Sequence, residues 1–135
     1  MTKSPEQITR VIIADDRTRS RSALRALLAT QSSIEVVAEA GDGSEAVRMV
    51  EEYQPDVIVM DICMPLLDGL TATRCIKYCW PDTKVIILTM HPPMQKEALS
   101  SGADVFLVKG CPAQKLISAI TEKPQSVCNS SMNPP

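Results

Sequence analysis

The chain has 135 residues, enough for one compact domain of the usual roughly 100–200 residues and too few for a two-domain enzyme. Hydrophobic residues make up 44% and charged residues 22%, so the chain can bury a core and is expected to fold alone. Fourteen Lys and Arg against sixteen Asp and Glu leave a net charge of -2, and Tyr53, Tyr78, Trp80 and Phe106 are the only aromatic residues; both facts argue against direct nucleic-acid binding.

Five cysteines are an odd number and lie below the density of disulfide-stapled domains, so free thiols in a reducing compartment are expected. The polar segment Met1 to Arg10 lacks a signal-peptide core, and no run approaches the roughly 18 apolar residues of a membrane span. These features predict a cytoplasmic protein without membrane contact.

Short apolar runs alternate with longer segments of helical period, the pattern of βα units around a parallel sheet. The first run, Val11 to Ala14, ends in Asp15-Asp16 and precedes Ala23, Leu24, Leu27 and Leu28 at helix spacing. The second, Ile34 to Ala38, leads to Asp42 and Glu45, whose spacing predicts a capping box and a helix carrying Ala46, Val47 and Val50. The third, Val57 to Met60, is apolar on both faces and belongs in the middle of a covered sheet. It ends in Asp61; Pro65 then marks a turn or a helix's first residue, with Leu67, Leu70 and Ile76 on a helix reaching Pro81.

The fourth run, Val85 to Leu88, ends in Thr89, and a short helix with Ala98 and Leu99 stops at Gly102. The fifth, Val105 to Val108, ends in Lys109 before an amphipathic helix on Leu116, Ile117 and Ile120. The predicted fold class is α/β, a doubly wound five-stranded parallel sheet over residues 8–122. Residues 123–135 read as a flexible tail or the start of a linker.

Strand after strand ends in a polar group: Asp15 and Asp16, Asp61, Thr89, Lys109. In an open parallel sheet these ends share one edge, where ligands bind at the point of strand-order reversal. Three neighbouring carboxylates repel one another and need a proton or a cation to hold them together, for which a divalent metal is the natural answer. Hard oxygen donors in small number suit Mg²⁺, with Asp16 and Asp61 as direct ligands and Asp15 acting through water. Lys109 adds a fixed positive charge and Thr89 a neutral hydroxyl, a set able to orient a tetrahedral phosphate. Asp61, central among them, is placed to be the nucleophile that forms an acyl phosphate.

The motifs Ile13-Ala14-Asp15-Asp16, Val59-Met60-Asp61-Ile62-Cys63-Met64-Pro65, Asp68-Gly69, Ile87-Leu88-Thr89-Met90, Gly102-Ala103-Asp104 and Phe106-Leu107-Val108-Lys109 follow one another in fixed order. In this order and spacing the chain resembles the receiver domain of two-component response regulators, from about Arg10 to Ile120, with a flavodoxin-like fold. Gly41-Asp42-Gly43 and Leu88-Thr89-Met90-His91 look most like the LuxR/NarL-type branch, whose members carry a carboxyl-terminal helix-turn-helix.

The resemblance implies phosphorylation of Asp61 by a sensor histidine kinase or a small acyl phosphate, with Mg²⁺ held by Asp16, Asp61 and the Cys63 carbonyl. It implies that Thr89 and Lys109 contact the phosphoryl oxygens and that Thr89 and Phe106 form a two-state switch, with dimerisation as a possible consequence. DNA contact would then belong to a separate domain. Phe106 reads equally as plain core packing.

The segment from Thr89 to Lys109 is shorter than the family's, and Pro92-Pro93 predicts a late, short fourth helix. Gly110 follows Lys109 where many receivers carry a proline. Arg17, Arg19, Arg21 and Arg25 give the first helix a basic face that is either solvated or docks an acidic kinase surface. Cys63, Cys75, Cys79 and His91 lack a zinc framework.

Two other functions share these features. A phosphohydrolase working through an aspartyl phosphate needs a second acid two residues after its nucleophile, and Cys63 stands there. A passive interaction module would keep the fold without phosphorylation.

Overall fold

The computed structural model describes residues 8–122. The tail expected from residue 123 lies outside the described residues. Five parallel strands, β1 (Thr9–Ala14), β2 (Ile34–Ala40), β3 (Val57–Met60), β4 (Lys84–Thr89) and β5 (Val105–Val108), form one sheet in the order β2-β1-β3-β4-β5. Helices α1 (Thr18–Ala29), α2 (Gly43–Tyr53), α3 (Gly69–Cys79), α4 (Gln95–Ser100) and α5 (Ala113–Thr121) alternate with them. Among the described residues no helix is long and apolar enough to cross a membrane.

The strand alternation sends side chains into two cores. Val11, Ile13, Val57, Val59, Ile86 and Leu107 meet Leu28 of α1 and Leu116, Ile117 and Ile120 of α5. Ile12, Ala14, Ile58, Met60, Val85 and Ile87 meet Ala46 and Val50 of α2, Ala72 and Ile76 of α3 and Ala98 of α4. A strand covered on both faces reads as a continuous apolar run, which is why β3 is Val-Ile-Val-Met with all four residues buried.

Helix starts follow side-chain chemistry. Asp42 caps α2 by accepting the Glu45 amide at 2.7 Å, and the Glu45 carboxylate accepts the Gly41 amide at 2.8 Å. The capping box is thus present, with its return bond one residue earlier than the standard form. The third helix begins later than the apolar spacing suggested. Asp68 accepts the Thr71 amide at 2.9 Å and starts α3 at Gly69, leaving Leu67 in the preceding loop. Pro65 therefore belongs to a turn, and Leu66 beside it adopts a left-handed φ of 68°.

The second strand runs two residues beyond the expected Ala38, to Ala40, and its register against β1 shifts at Val11/Ile12. A one-turn 3-10 segment, Pro92–Met94, precedes the six residues of α4, so the prolines do delay and shorten that helix. Trp80 ends α3, its amide bonded to the Ile76 carbonyl, and packs against the α2–α3–α4 core.

Close packing around the β3–α3 loop depends on glycine. A Cβ at Gly43 would stand 1.8 Å from the Leu67 carbonyl oxygen, a backbone atom that cannot rotate aside. Gly43→Ala is expected to destabilise the domain by about 1–3 kcal/mol despite alanine's helix preference, read as a lower urea midpoint at unchanged m-value.

Candidate functional site

The sheet's hydrogen-bond ladder extends past the strands and lines up their carboxyl ends. The Asp15 amide donates to Ala40 O at 3.0 Å, the Asp61 amide to Ala14 O at 3.0 Å, and the Lys109 amide to Thr89 O at 2.8 Å. Because β1 has β2 on one side and β3 on the other, chain order reverses between β1 and β3. Asp15 and Asp61 flank that crevice, the place where open α/β sheets take their ligands.

Lys109 joins the two carboxylates. Its Nζ stands 2.7 Å from Asp15 Oδ2 and 3.2 Å from Asp61 Oδ2, with both carboxylates buried. The other oxygens are also held: Asp15 Oδ1 accepts the Arg17 amide at 2.9 Å, and Asp61 Oδ1 accepts the Ile62 amide at 2.7 Å. Burial works to lower the Lys109 pKa, but the hydrogen bond to Asp15 and the charges of Asp61 and Asp15 outweigh it and hold the ammonium above its ordinary value.

Gly69 sets the rear of the site. Its amide donates to Ile62 O at 2.8 Å, and a Cβ there would stand 2.2 Å from the Asp61 carbonyl oxygen. The start of α3 therefore lies directly against the backbone of Asp61. Gly110 completes the opposite side: at φ +97° it takes a conformation open to glycine, and the Cys111 amide returns to Val108 O at 3.1 Å. A cleft lined by Leu24, Leu27, Leu88 and Leu116 opens beside Asp15 and Lys109, between α1 and α5.

Thr89 is the site's unsatisfied member. It is 0% exposed, and its Oγ1 is the one buried side-chain polar atom among the described residues without a hydrogen-bond partner. The alternative of a helix-capping hydroxyl is not realised, since α4 starts after the 3-10 turn and has no side-chain cap. An orphaned hydroxyl in a packed interior is unfavourable unless a further group uses it.

The remaining expected residues stand differently. Asp16 and Cys63 are exposed, and Phe106 is half-buried against the α2–α3–α4 core. Among the described residues no three His, Cys, Asp or Glu side chains stand close enough to hold a metal ion. The expected triple carboxylate cluster is instead a pair bridged by one ammonium, because a positive charge between two acids relieves their repulsion. The basic face of α1 is also smaller than expected, since Arg21 and Arg25 both bond Glu39 on β2.

Sequence reasoning did not assign Arg21 or the two close-packed glycines any part in this arrangement. The Asp68-Gly69 pair was visible as a motif, but nothing local shows that Gly69 rests on Asp61.

A doubly wound five-stranded parallel sheet with paired acids and a lysine at its switch point defines an α/β domain of flavodoxin-like fold. Residues 11–121 match the response regulator receiver domain family, and the chain belongs to that family. It is 39% identical over 117 residues to the transcriptional regulatory protein DegU of Brevibacillus brevis, covering 85% of this chain and 50% of that protein. The chain spans about half the length of the curated relatives it matches.

Among solved structures, a LuxR-family two-component response regulator from Aurantimonas sp. SI85-9A1 superposes with a TM-score of 0.79 at 33% identity, covering 84% of this chain and 82% of that one. The signal receiver domain of the response regulator NarL from Mycobacterium tuberculosis gives 0.80 at 29% identity, with 84% and 94% covered. The likeness to the LuxR/NarL-type branch and the flavodoxin-like fold both hold.

Lys109 contributes stability that is fully present below its ordinary pKa of 10.5 and is lost as pH rises through its raised folded value. Lys109→Met is therefore expected to be less stable than the wild type at neutral pH, and the gap in urea midpoint to narrow in increasingly alkaline buffer. Thr89→Val removes the orphaned hydroxyl and is expected to raise stability by about 1 kcal/mol in the same assay.

Proposed function

We propose that the domain is a phosphoacceptor switch in two-component signalling, with Asp61 as the residue that takes the phosphoryl group. The observation that carries this reading is the bridged pair Asp15–Lys109–Asp61 beside a buried, partnerless Thr89 hydroxyl. A charged acceptor, a charge-balancing ammonium and a spare hydroxyl are the groups a tetrahedral phosphoryl needs.

An oxygen of the Asp61 carboxylate attacks phosphorus on the donor, a phosphohistidine of a sensor histidine kinase or a small acyl phosphate. The new O–P bond forms as the donor's P–N or P–O bond breaks, and the electron pair leaves with the imidazole or the carboxylate. Lys109 shifts from the Asp61 carboxylate toward a phosphoryl oxygen and keeps the charge balanced. Thr89 donates its hydroxyl to another phosphoryl oxygen and so gains the partner it lacks.

The donor chemistry fits Mg²⁺: the Asp15, Asp16 and Asp61 carboxylates and the Cys63 carbonyl are all hard oxygen donors, and the three acids carry more negative charge than Lys109 offsets, while among the described residues they do not yet stand as one cluster. Asp16, Asp61 and the Cys63 carbonyl would hold the ion directly and Asp15 through water. When bound, it supplies charge compensation at the phosphoryl oxygens. The protein assists its own phosphorylation and slow dephosphorylation and is not a turnover enzyme.

Movement of Thr89 toward the phosphoryl group opens space on β4 next to Phe106, which pairs with Ile87 across the strands. Phe106 then turns inward and changes the surface of β4, α4 and β5, where a partner or a second copy docks. In a longer chain of the DegU or LuxR-family kind, this surface controls transcription through a separate DNA-binding domain, in the cytoplasm.

Incubation with acetyl phosphate and Mg²⁺ is expected to add one phosphoryl group to the wild type by intact-mass spectrometry and none to Asp61→Asn. Chelation of Mg²⁺ is expected to abolish the adduct. Steady release of phosphate from simple esters would support the phosphohydrolase instead, and indifference of the wild type to donor and ion would support the passive module.

A further inference from the structure

Arg21 is a cation that neither the phosphoacceptor chemistry nor the core requires, yet its guanidinium is tied down at both ends. Its Nε donates to Glu39 Oε1 at 3.1 Å, and its NH1 donates to the main-chain carbonyl of Asp15 at 2.6 Å. The side chain is only 20% exposed. Glu39 lies on β2 and is held from its other oxygen by Arg25, so the arginine arrives already oriented. Burial alone would raise the Glu39 carboxyl; the hydrogen bonds from Arg25 and Arg21 overcome that and keep it ionised below its ordinary range.

The bond to Asp15 O falls at the hinge of the acidic turn. Past Ala14 the chain leaves the sheet, and Asp15 still has its amide in the ladder, on Ala40 O. Its carbonyl belongs to the peptide that leads into Asp16 and takes its hydrogen bond from Arg21. Of the contacts made by Asp15, those at Oδ1 and Oδ2 fix its side chain, whereas Arg21 fixes the peptide that aims the following residue.

We infer that Arg21, oriented by Glu39, is a positioning residue that sets the peptide plane between Asp15 and Asp16 and thereby the aim of the Asp16 carboxylate at the cation site. This rests on the reading of Asp15, Asp16 and Asp61 as the acidic group that takes a divalent cation. Arg21 touches neither ion nor phosphoryl. It acts by fixing the peptide that carries Asp16, so that part of the ordering is done at folding and not at each binding event.

The same chain contains its own control. Arg25 shares the Glu39 carboxylate but makes no bond to Asp15. A role confined to fastening α1 onto β2 would weaken to a similar degree when either arginine is lost. A role in aiming the acidic turn belongs to Arg21 alone.

The experiment titrates Mg²⁺ into unphosphorylated protein and follows the backbone amide shifts of Asp16 and Arg17, in parallel with thermal melts and acetyl phosphate labelling. Arg21→Ala is expected to weaken Mg²⁺ binding by about tenfold, the scale at which residues supporting a metal ligand act. Its labelling rate at saturating Mg²⁺ is expected to return to within about twofold of wild type, as for a defect in ion binding alone. Arg25→Ala is expected to keep wild-type Mg²⁺ affinity although it loses a comparable amount of thermal stability. Arg21→Lys, which keeps one donor, is expected to recover part of the affinity.

Equal weakening of Mg²⁺ binding in Arg21→Ala and Arg25→Ala, or an unchanged affinity in Arg21→Ala, overturns the role of Arg21 and leaves the proposed function standing. A folded wild type that binds no Mg²⁺ overturns both.

Discussion

Two carboxylates held by one ammonium at the open edge of a parallel sheet are the interaction on which the rest of this domain is arranged. Asp15 and Asp61 are buried and close to the same Nζ, so each would be unstable without Lys109. Lys109 is 48 residues from Asp61 and 94 from Asp15 along the chain, and only the sheet brings them together. The bridge is thus a direct product of strand order, and it ties the two ends of the fold to its middle.

Around that bridge the backbone is packed so tightly that side chains are excluded. Gly69 rests on the Asp61 carbonyl and Gly43 on that of Leu67, so α2 and α3 both begin against the loop that follows Asp61. Leu66 in this loop is 84% exposed and left-handed, a conformation that costs a non-glycine residue about 1 kcal/mol or more and is kept by its surroundings. A rigid back to the site and one unsatisfied hydroxyl in its wall form a useful contrast. Thr89 ends β4, which leads through the 3-10 turn into α4, the shortest α-helix among the described residues.

Charge on α1 is distributed by the same economy. Two of its three arginines are engaged at Glu39, and one of those reaches the turn that carries the acids. Arg17, at the helix's N-cap, and Arg19 are exposed. A helix that reads in sequence as a basic face is therefore partly an internal brace.

Local sequence determined the five apolar runs, their polar ends, the capping box at Asp42 and the late, short fourth helix, because strand burial, helix capping and proline geometry act over a few neighbouring residues. That also made Asp15, Asp61, Thr89 and Lys109 legible as one group, since parallel strands place their ends on one edge. Apolar spacing places Leu67 on the third helix because it imitates helical period, whereas the Asp68 cap and the contact of Gly69 with Asp61 start α3 at Gly69. Tertiary structure alone decided that Lys109 pairs with two acids, that Asp16 stays exposed and that Thr89 is left without a partner. It likewise decided that Arg21 serves the acidic turn. Each of these depends on distances between residues on different strands and helices, which no local spacing encodes.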